Sequence, residues 1–356
     1  MTPACTRALR IGALAGTAVL LSAGATFVGR DGSQRSATTA TTQVDRRNLL
    51  PPLPSNEDAG RDMLQLAGPA ARLFESAHFA IAHTGPTDGA AALGRRLEAL
   101  YQAHVRLVRD WDLPVHRPPS KLEVCFFARY DEFKSHLDRR FPDAAGVLGF
   151  YDPGSNRTYL FDLETAPAVV AIRAEVAQTQ PAARDRVARR VAWLERSIIQ
   201  HEAAHQVEFN IGLFPSAAAA PRWLTEGLAT LFELPLAASG QPLEPLNGYR
   251  LYEFRKLYGG GVETLGDVRR FLADDEAWSG GRSYPLAWAL AHYLREEHHA
   301  FLGTLLREVG AGHFPTSAAE REPILSGWFG PFNAQWVARF YEATMRLPLD
   351  ASTFTD

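Results

Sequence analysis

The run His201-Glu202-Ala203-Ala204-His205 combines residue types that can do chemistry with a spacing that brings them together. On a helix, histidines four apart share a face and lie about 6 Å apart along the axis, so both imidazoles can reach one ion. Glu202 is turned about 100° from His201, too far round to be the natural third ligand. It is close enough to take a proton from water beside that ion. The pattern therefore assigns two ligands and one base, and zinc is the ion it suits.

In a chain of 356 residues with 11 histidines, such a pattern arises by accident in on the order of a few per cent of cases, so its surroundings matter. Val187, Val191, Leu194, Ile198, His201 and His205 follow one stripe of a helical run from Val187 to Asn210, and Gly212 offers a stop. The two histidines thus continue an inward face. A catalytic zinc needs a third protein ligand and an open fourth position. One known arrangement places a glycine and then a third histidine soon after the second, but Glu208 and Ile211 stand at those places. The other arrangement takes a glutamate from a second helix. Pro221 to Phe232 supplies one: Pro221 suits a first turn, and Leu224, Leu228 and Leu231 form an apolar stripe with Glu226 on a different side.

The pair His201-Glu202-Ala203-Ala204-His205 and Trp223-Leu224-Thr225-Glu226-Gly227-Leu228-Ala229 resembles the gluzincin division of zinc metallopeptidases, in particular its peptidase-MA-like branch of secreted or envelope bacterial domains. The resemblance extends more weakly through His78 to Ile81, Leu122 to Phe127 and Gly149 to Phe161, covering roughly residues 72 to 300. It implies an α+β zincin-like fold, with a small mixed β-sheet lobe packed on the active-site helix and a mainly helical C-terminal lobe. It also implies one Zn2+ held by His201, His205 and Glu226, and a polypeptide substrate lying extended along an edge strand near residues 147–161. A downstream tyrosine or histidine would donate to the developing oxyanion, and Tyr284 and His292 are the candidates. The Gly-x-Met-Glu-Asn run of gluzincin aminopeptidases is absent, which favours an endopeptidase.

Composition sets wider bounds. With 46% hydrophobic and 22% charged residues the chain is ordinary globular material, and a formal net charge of -3 gives no electrostatic ground for nucleic acid as a partner. All basic residues except Lys121, Lys134 and Lys256 are arginine, a bias read as genome composition, and Arg184 to Arg190 read as a solvated helix face. Arg7 and Arg10 precede an uncharged run, Ile11 to Val28, with Ala23-Gly24-Ala25 as a cleavage site. Residues 1–29 are therefore a signal peptide or an N-terminal membrane anchor, and the protein is exported, secreted or periplasmic, or tethered outside the cytoplasmic membrane. Cys5 and Cys125 offer no intrachain disulfide in a mature protein.

Residues 30–69, rich in Ser, Thr, Gln and Pro, read as a flexible linker, and 70–350 as the metallopeptidase domain, with a sheet lobe to about 183 and a helical lobe beyond. Within the sheet lobe the pattern predicts a strand over Phe74 to His83, a helix over Gly89 to Trp111, a strand over Leu122 to Ala128 and a helix around Tyr130 to Arg140. Val147 to Tyr151 and Thr158 to Phe161 read as a hairpin. His104 falls on the inner stripe of its helix and reads as a core or rim histidine. Helices are also predicted over Tyr249 to Tyr258, Leu265 to Leu272, Ser283 to Leu294 and Trp328 to Met345. Tyr284, Trp288 and His292 recur at steps of four on the side of their helix away from its core stripe; packing between helices is the other reading of these rings. The expected chemistry is hydrolysis of a peptide bond, with Glu202 as general base. The competing expectations are a binding module that keeps the zinc as a vestige, and a zinc amidase acting on a non-protein polymer.

Overall fold

Short, largely apolar segments, buried at every position in the central β2 and β5, build one five-stranded mixed sheet. Its strands are β1 (Arg72–Glu75), β2 (Phe79–His83), β3 (Leu122–Phe127), β4 (Phe150–Asp152) and β5 (Arg157–Phe161), in the order β1-β2-β3-β5-β4. The three central strands are parallel, and the two outer ones run antiparallel to their neighbours. The computed structural model describes residues 49–141, 146–215, 220–329 and 334–349. The N-terminal apolar run and its cleavage site lie outside these. Among the described residues no helix is long and apolar enough to cross a membrane.

One face of the sheet, carrying Phe79, Ile81, Leu122, Val124 and Leu160, packs into the larger core. Helix α2 (Thr87–Asp110) covers it, together with the C-terminal half of the 30-residue helix α5 (Pro181–Asn210). The other face, with Ala82, Cys125, Phe127, Tyr159 and Phe161, meets helix α3 (Tyr130–Arg140). After the short helix α4 (Pro167–Val176) and α5, the chain is helical: α6 (Arg222–Leu231), α7 (Gly248–Tyr258), α8 (Val268–Ala273), α9 (Ser283–Glu297), α10 (His299–Gly310), α11 (Ala318–Phe329) and α12 (Ala334–Arg346). The architecture is α+β, a sheet lobe followed by a helical lobe.

Two expectations need correction. Residues 57–67, placed in the linker, form helix α1 (Glu57–Ala67): the Asn56 side chain caps it, Met63 is buried, and Asp62 reaches Arg157 at 2.6 Å. The single strand over Phe74 to His83 is two strands around a turn. Glu98 of α2 pins that turn, accepting from Ser76 Oγ at 2.6 Å and from the His78 backbone at 2.7 Å, while His78 Nδ1 lies 2.6 Å from its other oxygen. Of the closing helix expected over Trp328 to Met345, residues 334–345 lie in α12 and Trp328 and Phe329 end α11, with residues 330–333 outside the described ones. His104 is fully buried, its Nδ1 donating to the Leu100 carbonyl at 2.9 Å and its ring stacked on Phe232.

His136 of α3 is a weak point in this packing. Its ring stacks between Tyr159 and Phe127, and Nε2 is buried with no hydrogen-bond partner. Burial, helped by Arg140, lowers its pKa to about 4 from 6.5. The native state keeps this base neutral, whereas the unfolded chain takes up its proton below about 6.5, so stability is lost as pH falls through the window from 6.5 to 4. His136→Phe fills the same aromatic nest without that liability. Its urea unfolding free energy should fall by about 1 kcal/mol less than the wild type's between pH 7 and pH 5; parallel losses would refute this account.

Candidate metal centre

Helix α5 changes character along its length. Its first half is amphipathic, and from Ile199 to Glu208 every residue is buried. The two glutamines in that buried half are anchored through their amide nitrogens. Gln200 donates to the carbonyls of Phe232 and Leu234, both at 2.9 Å, and Gln206 donates to those of Glu123 and Asn156 and accepts from Thr158. These bonds clamp α5 to the sheet on one side and to the end of α6 on the other, which fixes where His201 and His205 point. Gly212, at φ 79°, ends the helix turn where a side chain would strike His116.

His201, His205 and Glu226 converge. Their Nε2, Nε2 and Oε2 atoms form a triangle with sides of 3.2 Å between the imidazoles, and 3.0 and 3.5 Å from each to the carboxylate. A tetrahedral ion with bonds of roughly 2.0–2.1 Å would separate its ligand atoms by about 3.3 Å, so the triangle has the size of one face of such a site. His201 Nδ1 lies 3.1 Å from Glu233 Oε1, which places the ring proton there and turns the Nε2 lone pair into the triangle, while His205 Nδ1 faces Glu208 Oε2 at 3.7 Å, beyond hydrogen-bond range. The His201 lone pair and a carboxylate oxygen then face one point, an arrangement that repels itself without a cation. These three residues could therefore hold a metal ion.

The electrostatics carry the same demand. Burial opposes charge on His201, but hydrogen bonds to Glu226 and Glu233 raise its pKa to about 9. Burial likewise opposes charge on His205, yet Glu208 and Glu226 raise it well above its usual value. Burial disfavours the Glu226 carboxylate too, but His201 and His205 hold it far below the usual range. The cluster calls for positive charge, supplied by protons or by a divalent ion.

Glu202 stays outside this triangle. It is buried, and its Oε2 accepts the Tyr151 backbone N–H from β4 at 3.0 Å. Gly149 makes room for this approach, since a Cβ there would lie 2.5 Å from Ile198 and 3.2 Å from Glu202. Burial raises the Glu202 pKa against the pull of the two histidines, which suits a group that must take a proton and release it.

Of the two downstream candidates, the structure brings one to the site. Tyr284, in the first turn of α9, is fully buried with its ring 5.7 Å from that of His201. Its hydroxyl has no hydrogen-bond partner among the described residues, and burial, reinforced by Glu226, keeps it protonated. His292 sits two turns further on, about 12 Å along the axis. It stacks on Trp288 and its Nδ1 faces Arg295 at 3.4 Å, and burial lowers its pKa to about 4. These contacts lie within its own helix, and it is not among the groups that converge at the metal cluster.

The close contact of α6 with α9 sets the position of Tyr284 relative to Glu226. A Cβ on Gly227 would lie 2.6 Å from the Ala287 carbonyl oxygen, so the two backbones meet only because residue 227 has no side chain. Gly227→Ala should cost about 1–3 kcal/mol in thermal unfolding by forcing these helices apart; unchanged stability would contradict the contact.

Two participants gave no signal in the sequence pattern. Glu233, just past the end of α6, backs His201, and Arg250 of α7 binds Glu233 through two bonds of 2.6 and 2.8 Å. The one available hint is a glutamate set within the apolar run Leu231-Phe232-Glu233-Leu234. Compared with known proteins, residues 195–313 match the model of a family described as a protein of unknown function, DUF1570. That stretch contains His201, Glu202, His205, Glu226, Glu233, Arg250 and Tyr284. No curated protein matches the chain.

Proposed function

We propose that this chain is an exported zinc-dependent peptidase of the gluzincin type, acting as an endopeptidase on polypeptide substrates. The observation that carries the reading is the position of Glu202: a buried carboxylate beside the His201, His205 and Glu226 triangle, outside the donor set, and oriented by a backbone N–H. A purely structural zinc has no use for such a group and prefers a closed shell containing cysteine.

Zinc held by His201, His205 and Glu226 would supply Lewis acidity, polarising a carbonyl and bringing the pKa of water near 7. Glu202 accepts the proton of the attacking water and returns it to the leaving amine, which its raised pKa favours. The Tyr151 N–H keeps the Glu202 carboxylate aimed while it is negative. Tyr284, with a protonated and unpartnered hydroxyl, donates a hydrogen bond to the developing oxyanion. Among the described residues strand β4 pairs with β5 alone and ends the sheet, so an extended peptide can align there by strand addition. The apolar run Ile11 to Val28 behind Arg7 and Arg10 supports export.

The test is incubation of the purified protein with unfolded proteins and with cell-wall amides, with and without a chelator, alongside a zinc determination. Chelator-sensitive cleavage of polypeptides at one zinc per chain is expected. Cleavage of the amides alone would move the reading to an amidase. Zinc binding with no hydrolysis of either would leave a binding module.

A further inference from the structure

We propose that Arg250 is a positioning residue that couples the two halves of the site, orienting the His201 ligand through Glu233 and seating Tyr284 through its ring. This rests on the peptidase reading for the role of Tyr284, and on the metal cluster alone for the role of His201.

Arg250 is buried and meets Glu233 side-on. Nη2 donates to Oε1 at 2.6 Å and Nε donates to Oε2 at 2.8 Å. Asn247 adds a third donor to Oε2 at 3.1 Å. The Glu233 carboxylate, held in one plane, presents Oε1 to His201 Nδ1 at 3.1 Å. The direction of that imidazole is therefore set from α7 and not by α5 alone. The same guanidinium lies over the face of the Tyr284 ring, 5.5 Å from its centroid, within the range of cation–π attraction. Glu253, whose Oε2 is 3.5 Å from Nη1, and Tyr249, which donates to the other Glu253 oxygen at 2.7 Å, buttress the far side. A lysine at this position could neutralise Glu233, but it has neither the planar fork nor the flat face that the ring needs. The two contacts are made by one rigid group, so a change that frees it disturbs the metal ligand and the hydroxyl together.

The experiment compares R250K, E233Q, Y284F and R250K/Y284F with the wild type, using zinc in competition with a chromophoric chelator and turnover of a quenched peptide library at saturating zinc. R250K and E233Q should each bind zinc 10–100-fold more weakly than wild type. At saturating zinc E233Q, whose remaining amide oxygen can still accept from Arg250, should recover more of its turnover than R250K. R250K should stay as low as Y284F with unchanged KM, and adding Y284F to R250K should lower kcat no further. A folded R250K that binds zinc as tightly as wild type overturns the link to His201, and multiplicative losses in R250K/Y284F overturn the link to Tyr284. Should R250K fail to fold, R250M/E233Q removes both buried charges together and must show the same zinc loss. A wild type that cleaves no peptide sinks the peptidase reading, while the zinc comparison still decides whether Arg250 orients His201.

Discussion

Glu202→Gln should keep one zinc per chain and its thermal stability while losing about 10³–10⁴ of its hydrolytic rate, in line with the contribution of a positioned general base. The substitution is nearly isosteric. The glutamine oxygen can still accept the Tyr151 N–H that Glu202 Oε2 accepts at 3.0 Å, so the local geometry need not move. Removing a buried carboxylate that is costly to ionise should also do no harm to folding, since burial already pushes its pKa upward. What disappears is the ability to hold a proton between attack and departure. Elemental analysis, a melting curve and a cleavage assay together give the answer. Retained zinc with undiminished cleavage would remove Glu202 from the mechanism.

Removing the third ligand should do the opposite, abolishing metal binding first. Glu226→Ala leaves both imidazoles, which lie 3.2 Å apart in the wild type, but the carboxylate that neutralises half of a divalent charge is gone. Loss of stoichiometric zinc is expected, and with it all hydrolysis. Stability offers a second readout. A ligand that binds only the folded state stabilises it by about 4 kcal/mol when present at a thousand times its Kd. Zinc should therefore raise the wild-type melting temperature by several degrees, and the Glu226→Ala protein should not respond. A clear zinc-induced shift in that variant would mean that the ion is held elsewhere.

The two experiments test the part of the molecule most legible in the sequence. The metal helix and the glutamate on the following helix are readable because helical periodicity converts spacing into direction, whereas Tyr284 and His292 enter as candidates only through the resemblance to gluzincins. His292 shows where that conversion fails. Residues at steps of four stay near one stripe, but each step also drifts about 40° and climbs about 6 Å, so the second repeat after Tyr284 has left the site. Glu233 and Arg250 were invisible for a different reason. They meet across 17 residues, one in a turn and the other in a helix, and only the tertiary packing of α7 against the end of α6 brings them together. The same holds for the turn between β1 and β2, which a distant glutamate, Glu98, determines. Helix α1 was passed over because its sequence is largely polar and buries only Gly60 and Met63. What places it is an arginine in the sheet, Arg157, which pairs with Asp62 and Glu123.

Cys125 sits in the middle of β3 with no exposed surface, in the core cluster that takes in Val191 and Leu194 from the first half of the metal helix and not the ligands themselves, and burial pushes its thiol up to about 12. The candidate ligands themselves are nitrogen and oxygen only. An oxidant has no thiolate to attack at either place, and a reductant finds no crosslink to open among the described residues. The fold and the candidate metal centre should thus be indifferent to the redox state of their surroundings, a property that the proposed exported peptidase would need.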